Sequence, residues 1–505
     1  MNRSLGLSLD ARRSEPYYQQ IFDQIVQRIQ SGALPAGCRL PPTRSLATEL
    51  ATHRNTVVRA FEELTGAGWL EAVVGRGTFV RERRATGGGG SAAGAAPVST
   101  GALPWTSLVS RGASAEPLGR ADRLSVGLIE RPCVNLQRMQ PPPELLPTDA
   151  VRRCMDHALR TQSHRACGYA PPEGVPRLRR LVAAELSRGG VPTHAEDVII
   201  TSGSQQALDL VFRALVDPGD TVLVERCTYH GALTALAAVG AQAVGVPTDG
   251  EGPELTALRR HADARAFYLM PDANNPTGGW ISQRRREALV AWSRSACVPL
   301  IEDDYAADLD LDGVPMPPAL RALDGDVIYI TSFSKKLVPA LRLGAMICPR
   351  ALRPRILALK YAMDLCSSAM LQYALAEFLE RGYLRAHLER SLPIYRARRD
   401  ALVEALAAHL PGGISPRLPR RGLSLWLPLP PAVDPREVFI EAQRRGVLVT
   451  PGTLSTVSPD EPSGLRLTFC GEPPERLAEG ARRLGEALEA VMARPTPVRA
   501  TLEGP

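Results

Sequence analysis

ITSFSKKLVPALRLGA, residues 330–345, holds two of only three lysines in a chain with 60 basic residues. Lys335 and Lys336 lie here and Lys360 follows; every other basic residue is an arginine. The apolar run DVIYITS (326–332) leads in, so the pair sits at a strand end. Ser332 and Ser334 flank Lys335, and Arg342 follows it on the same stretch. A lysine amine forms a Schiff base with an aldehyde. Two hydroxyls and an arginine can hold that aldehyde's phosphate by hydrogen bonds and charge. Pyridoxal 5'-phosphate (PLP) asks for that arrangement. A Lys-Lys pair at a strand end is by itself an ordinary surface feature, so Lys335, with Lys336 as its rival, needs the rest of a site.

The rest follows in order along the chain. TSGSQQAL (201–208) is a strand, a turn and a helix start, where the amides of Ser204 and Gln205 can bind phosphate. ERCTYHGAL (225–233) puts Tyr229 after a strand, where its ring can stack on a pyridine. PDANNPTGG (271–279) is a polar turn in which Asn275 can donate to a phenolic oxygen. IEDDYAADL (301–309) ends a strand in acids. A carboxylate there keeps the pyridine nitrogen protonated and makes the ring an electron sink. Asp303 is the choice and Asp304 its rival, with Tyr305 donating to the phenolic oxygen.

Strand candidates DVIITSG (197–203), DTVLVER (220–226), RAFYLM (265–270), VPLIEDD (298–304) and DVIYITS are apolar throughout. Helical patterns such as SQQALDLVFRAL (204–215) and RREALVAWSRSA (285–296) lie between them. Such alternation predicts an α/β domain, a mostly parallel sheet covered on both faces, with ligands at the strand ends. Over about residues 130–490 the chain resembles the fold-type I, PLP-dependent aminotransferases. That resemblance implies a homodimer with sites at the interface. It implies that Tyr169, in CGYAPPEGVPRLRRLVAAEL, reaches the partner subunit's phosphate, and that Arg466, in GLRLTFC, binds an effector carboxylate.

Residues 1–84 carry 12 Arg against 8 Asp and Glu, over half of the net charge of +7 in one sixth of the chain. An excess of that kind points to an acidic partner, with nucleic acid the usual one. Helical faces run from Tyr17 to Ser31, through TRSLATELA (43–51), and from Asn55 to Leu64. The last two, across a break at Thr52, His53 and Arg54, predict a helix-turn-helix whose second helix enters the major groove. WLEAVV and TFVRE around Gly75-Arg76-Gly77 predict a hairpin wing. Arg54, Asn55 and Thr56 suit base edges, and Arg39, Arg44 and Arg59 suit phosphates. Arg76 at the wing tip suits a minor groove. The stretch GALPAGCRLPPTRSLATELATHRNTVVRAFEELTGAGWLEAVVGRGTFV resembles the winged helix-turn-helix of GntR-type bacterial regulators. That resemblance implies Arg44, Arg54, Asn55, Thr56, Gly75 and Arg76 as contacts to double-stranded DNA. His53 stands where that family often has a small residue.

The domain limits read from sequence are 1–81 for the winged helix-turn-helix, 82–129 for a Gly/Ala/Ser/Pro-rich linker, 130–495 for the PLP domain and 496–505 for a frayed tail. Nothing approaches a run of 18 strongly apolar residues, and MNRSLGLSLDARRSEP has no apolar core of signal-peptide length. Nine cysteines without metal-ligand spacing fit reduced thiols and no metal site. These observations lead to the expectation of a cytoplasmic bacterial protein, nucleoid-associated when on DNA. The two halves together resemble the MocR subfamily of GntR-type regulators. The resemblance implies that PLP, or a small amino compound meeting it, biases how a dimer holds an operator with two half-sites. The alternatives are a working aminotransferase with a secondary DNA-binding domain, and a regulator whose cofactor pocket has decayed. Cys227 stands where relatives commonly have proline, Gly231 where some have an effector-binding arginine, and VNLQRMQPPPELLP (134–147) departs from the usual Gly-x-Pro-Asp form. No effector is carried over from a relative.

Overall fold

The computed structural model describes residues 5, 7–10, 15–30, 33–73, 77–81, 109–110, 113–115, 133–458 and 464–494. Gly75 and Arg76, most of the segment expected as linker, and the tail 496–505 lie outside them. The chain divides into two compact units, Met1–Leu103 and Pro104–Pro505.

In the first unit, α1 (Tyr17–Gln30), α2 (Thr43–Glu49) and α3 (Arg54–Gly66) precede β1 (Leu70–Val73) and β2 (Gly77–Val80). The apolar positions of α3 recur at helical spacing, so Val57, Ala60, Phe61 and Leu64 share its buried face. They meet Ile21 and Ile25 of α1 and Leu46 and Ala47 of α2 in one core. The expected wing is an antiparallel pair with Leu70 opposite Val80 and Val73 opposite Gly77. Arg39 forms an antiparallel bridge to Phe79 on the other edge of β2 from β1. The expected second helix starts one residue earlier than its apolar pattern, at Arg54. The His53 imidazole accepts from the Asn55 amide and caps that helix.

The second unit opens with β3 (Val134–Asn135) and then alternates. β4 (Val198–Thr201) leads into α4 (Ser204–Leu215), β5 (Thr221–Glu225) into α5 (His230–Ala238), then β6 (Gln242–Val246) and β7 (Ala266–Leu269). After α6 (Gln283–Ala296) come β8 (Leu300–Asp304), β9 (Ile328–Ser332) and β10 (Gly344–Ile347). They form one seven-stranded sheet in the order β4-β10-β9-β8-β7-β5-β6. β10 runs antiparallel to both neighbours, and every other pairing is parallel. All four residues of β4, β7 and β10 are buried, as a sheet covered on both faces requires.

β10 was not separable by pattern from the lysine loop before it. Its first residue has to be glycine: a Cβ on Gly344 would lie 2.8 Å from the Thr331 carbonyl oxygen and 3.0 Å from the Gly203 backbone. The close approach brings the turn after β4 against the loop that carries the lysines.

Helices α7 (Arg353–Asp364), α8 (Ala369–Glu380) and the long α9 (Tyr383–His409) lead to a smaller layer. There β11 (Ser424–Pro428) pairs antiparallel with β14 (Gly464–Thr468), which also pairs with β13 (Thr450–Pro451). β12 (Val447–Leu448) pairs with β3, so the start of this unit is built into its C-terminal part. No helix among the described residues is long and apolar enough to cross a membrane.

Candidate functional site

The site is assembled at the carboxyl ends of β4, β5, β7, β8 and β9. Lys335 is partly buried, and its Nζ donates to the Met139 carbonyl at 3.0 Å. Burial, with the Arg466 guanidinium next in weight, holds its amine down to about 8. Lys336 is occupied elsewhere: its Nζ pairs with Asp308 and lies 4.7 Å from the Phe333 ring centre. Only Lys335 is therefore placed to offer an amine.

The period-two alternation of a strand separates the two acids of β8. Asp303 shares a face with Ile301, which lies opposite Tyr268 in β7. The Tyr268 hydroxyl donates to Asp303 Oδ2 at 2.8 Å, while the buried Oδ1 has no partner among the described residues. Burial pushes this carboxyl up to about 6. Asp304 points to the opposite face, where Tyr329 donates to it at 2.7 Å and Asp272 is a charged neighbour. An anion with one unpartnered oxygen fits a protonated ring nitrogen; Asp304 Oδ1 is also without a partner among the described residues, so the face decides, and Asp303 is the acid on that of Tyr229 and Tyr305.

Arg466 sits in the middle of β14, buried, without an ion-pair partner among the described residues. Its guanidinium donates to Asn275 Oδ1 at 3.1 Å, to the Gln137 carbonyl at 3.0 Å and to Thr450 Oγ1 at 3.1 Å. Burying a cation among neutral acceptors is costly, and the arrangement suits an incoming carboxylate. Two tyrosines complete the wall. Burial raises the hydroxyl pKa of both Tyr229 and Tyr305. The Tyr229 ring meets the His230 ring edge to face at 5.0 Å. His230 escaped the sequence reading; burial, with Arg466 and Lys335 nearby, pushes its imidazole down to about 4, so it is neutral at pH 7. The ring also explains Gly231: a Cβ there would lie 2.4 Å from Tyr229 and 2.5 Å from Gln205 Oε1. No side chain fits at 231 unless Tyr229 moves.

The expected phosphate turn is also assembled. Gly203, at φ 92° and ψ 171°, precedes the first turn of α4, a conformation almost confined to glycine. A Cβ on it would lie 2.9 Å from an Arg342 terminal nitrogen. Arg342, itself left-handed at φ 48°, brings its guanidinium to within 3.4 Å of the Ser202 carbonyl. Gln205 Nε2 donates to the Gly231 carbonyl at 2.8 Å, which ties the turn to the Tyr229 loop. Ser332 Oγ accepts from the Ser334 amide at 3.1 Å, and the buried Ser334 Oγ has no partner among the described residues. Helix-start amides, a guanidinium and one unsatisfied hydroxyl fit a phosphate, so the residues present suit PLP. Tyr169 is 85% exposed, so its own chain does not cover it.

In the first unit Arg44, Arg54 and Asn55 are exposed and Thr56 is half-buried. Arg54 and Asn55 open α3, where the helix dipole favours phosphate. Arg39 packs on the wing, 3.0 Å from where a Gly77 Cβ would be. Arg59 is exposed, lies 3.8 Å from the Tyr18 ring centre of α1 and pairs with Glu63 at 3.3 Å, an exposed pair that a phosphate can replace.

Residues 133–484 match the aminotransferase class I and II family, and residues 17–80 match the gntR family of bacterial regulatory proteins. The probable rhizopine catabolism regulatory protein MocR of Rhizobium meliloti is 30% identical over 492 residues, covering 96% of each chain. The 2-aminoadipate transaminase of Thermus thermophilus is 34% identical over 361 residues, which are 70% of this chain and 89% of that one. Among solved structures, the α-aminoadipate aminotransferase LysN of Thermus thermophilus, complexed with N-(5'-phosphopyridoxyl)-L-leucine, superposes with a TM-score of 0.71 at 30% identity. It covers 77% of this chain and all of that one. The transaminases match 70% and 77% of the chain, whereas MocR matches 96% of it. With a GntR-type winged helix-turn-helix and an aminotransferase-like PLP domain on one polypeptide, the chain belongs to the MocR subfamily of GntR-type transcriptional regulators.

Proposed function

We propose that PLP bound at Lys335 sets how a homodimer of this chain holds an operator with two half-sites, and that a small amino compound, or PLP itself, is the effector. The observation that supports the reading is that residues suited to both tasks lie on one chain. The recognition helix exposes Arg54 and Asn55, and the aminotransferase-like unit gathers Lys335, Asp303, Asn275 and Arg466.

PLP supplies an electrophilic aldehyde to which an amine joins reversibly. The chain's own residues supply the rest. Lys335, held down to about 8, keeps a usable share of its amine uncharged near neutral pH. Asp303 offers its free oxygen to the ring nitrogen. Tyr229 backs the ring, Asn275 and Tyr305 meet the phenolic oxygen, and Arg466 receives the effector's carboxylate. Ser204, Gln205, Ser332, Ser334 and Arg342 hold the phosphate, joined by Tyr169 of the partner subunit. On DNA, Arg54, Asn55 and Thr56 meet bases, Arg39, Arg44 and Arg59 meet phosphates, and Gly75 and Arg76 present the wing. The limits 1–81, 82–129, 130–495 and 496–505 and a cytoplasmic location, on the nucleoid when DNA-bound, belong to the same proposal.

The test is operator binding by the full chain with and without PLP, followed by a panel of amino compounds read through the visible absorbance of the bound cofactor. Affinity that responds to PLP or to one compound supports the reading. Steady conversion of an amino donor with no effect on DNA would replace it with the transaminase alternative.

A further inference from the structure

The third lysine, Lys360, is not used by the site above, yet it is fully buried. It lies in α7, and its Nζ has four acceptors: both Asp364 oxygens at 2.9 and 3.0 Å, Ser367 Oγ at 3.1 Å and Gln206 Oε1 at 3.5 Å. Lysine is almost never buried so completely unless it is paired, because desolvation costs more than a loose pairing returns.

Every member of the cluster leads to the phosphate turn. Gln206 Oε1 accepts from the Ser202 amide at 2.8 Å, and Gln206 Nε2 donates to Asp364 Oδ2 at 2.7 Å. Ser202 Oγ donates to Asp364 Oδ2 at 3.3 Å and lies 3.2 Å from Ser367 Oγ. Ser202 and Gln206 flank Gly203, Ser204 and Gln205, so the cluster grips the turn at both ends. It also continues away from it. The buried Gln372 of α8 donates to the Ser367 carbonyl at 2.8 Å and accepts from the Val175 amide at 2.7 Å. Val175 ends the segment that carries Tyr169. Gly174 there is at φ 105°, and a Cβ on it would lie 2.4 Å from Ile200 and 2.9 Å from Gln372 Oε1.

We infer that Lys360 and Asp364 are positioning residues for the cofactor phosphate, the centre of a buried polar network that joins the turn at 202–206 to the segment bearing Tyr169. The inference rests on reading residues 202–205 as the phosphate turn. Lys360 touches neither the phosphate nor the aldehyde chemistry; it fixes the backbone that meets the phosphate. The network also gives the turn and the Tyr169 segment a common support, so filling one chain's phosphate turn is felt where that chain offers Tyr169 to its partner.

The experiment titrates the full-length protein with PLP and with pyridoxal, which lacks the phosphate, reading the visible absorbance developed at Lys335. Lys360→Met should raise the Kd for PLP about tenfold or more, the scale that outer-shell partners carry at other sites, and leave pyridoxal unchanged. An unchanged PLP Kd would overturn the inference. Equal weakening of PLP and pyridoxal would also overturn it, since that is what a general packing defect produces. If the single variant does not fold, Lys360→Met with Asp364→Leu removes both charges together. The same loss confined to PLP is then expected, and wild-type PLP affinity in that variant refutes the network. An unsubstituted protein that binds PLP no better than pyridoxal would remove the phosphate turn itself, and the inference with it.

Discussion

Gly203→Ala tests the phosphate turn most sharply, because two separate costs converge on one atom. At φ 92° and ψ 171° a residue with a Cβ bears backbone strain on the order of 1–3 kcal/mol. That cost falls on the fold whether or not PLP is present, and it appears as a lower Tm of the PLP-free protein. The second cost falls on binding. The new methyl would lie 2.9 Å from one Arg342 nitrogen and 3.3 Å from its guanidinium carbon, so the guanidinium must leave. A hydrogen bond between charged groups is worth about 1.5–3 kcal/mol. Its loss weakens PLP about 10- to 150-fold. Gly219→Ala is the control: it is also left-handed, at φ 96°, but has nothing within 4 Å of its would-be Cβ. It should lower Tm and leave the PLP Kd unchanged. Arg342→Gln, with Gly203 kept, should weaken PLP to a similar extent without the strain. The assay is an absorbance titration of each protein with PLP. Gly203→Ala protein that binds PLP within twofold of the unsubstituted protein would refute the turn as the phosphate site.

Other consequences follow from the same geometry. Lys335→Ala should abolish the visible absorbance, whereas Lys336→Ala should keep it, since Lys336 is paired with Asp308; the reverse result would reassign the lysine. The rate at which PLP develops that absorbance should rise with pH to a midpoint near 8, because the protonated amine is unreactive. Arg466→Gln removes a neighbouring cation and should move the midpoint upward; an unmoved midpoint would remove Arg466 from the causes. Asp303 has a carboxyl raised to about 6 against an ordinary value of 3.8, so the PLP-free fold binds its proton more tightly than the unfolded chain. Its contribution is present below about pH 4 and is lost as pH rises to about 6. Without PLP, Asp303→Asn should therefore gain on the unsubstituted protein over that window, by up to about 3 kcal/mol in denaturant unfolding. Arg54→Ala should weaken operator binding and leave PLP absorbance intact, and operator affinity should fall steeply with salt. A flat salt response would count against phosphate-dominated contact.

The residues show what the linear pattern could and could not carry. Lys335 was legible because lysine is scarce and because flanking serines and Arg342 give one lysine of the pair a job; the structure adds that Lys336 is engaged by Asp308. Asp303 over Asp304 follows from strand alternation once the face of Tyr229 is known, but that face is a tertiary fact. β10 is hidden in the sequence because GAMI after a lysine loop has no signature of direction, and its reversal appears only in its antiparallel pairing with β9 and β4. In the sequence Tyr268 is only one residue of a strand pattern, and its hold on Asp303 depends on the register between β7 and β8. The Lys360 cluster escaped for the same reason: its members are spread over residues 202–372 and meet only in space. In the first unit the apolar faces located the helices, while the cap by His53 and the engagement of Arg59 by Tyr18 arise from turns and packing that periodicity does not encode.

The central claim is that the PLP site and the DNA site share one free energy. Coupling between two ligands is reciprocal, so the factor by which PLP changes operator affinity must equal the factor by which operator changes PLP affinity. Both can be measured on one preparation, by operator titration with and without PLP and by PLP absorbance titration with and without operator, with Lys335→Ala as the uncoupled control. The same factor, different from one, is expected in both directions, and the operator affinity of Lys335→Ala is expected not to change with PLP. Operator affinity that is identical with and without PLP, and with every amino compound tried, would contradict it.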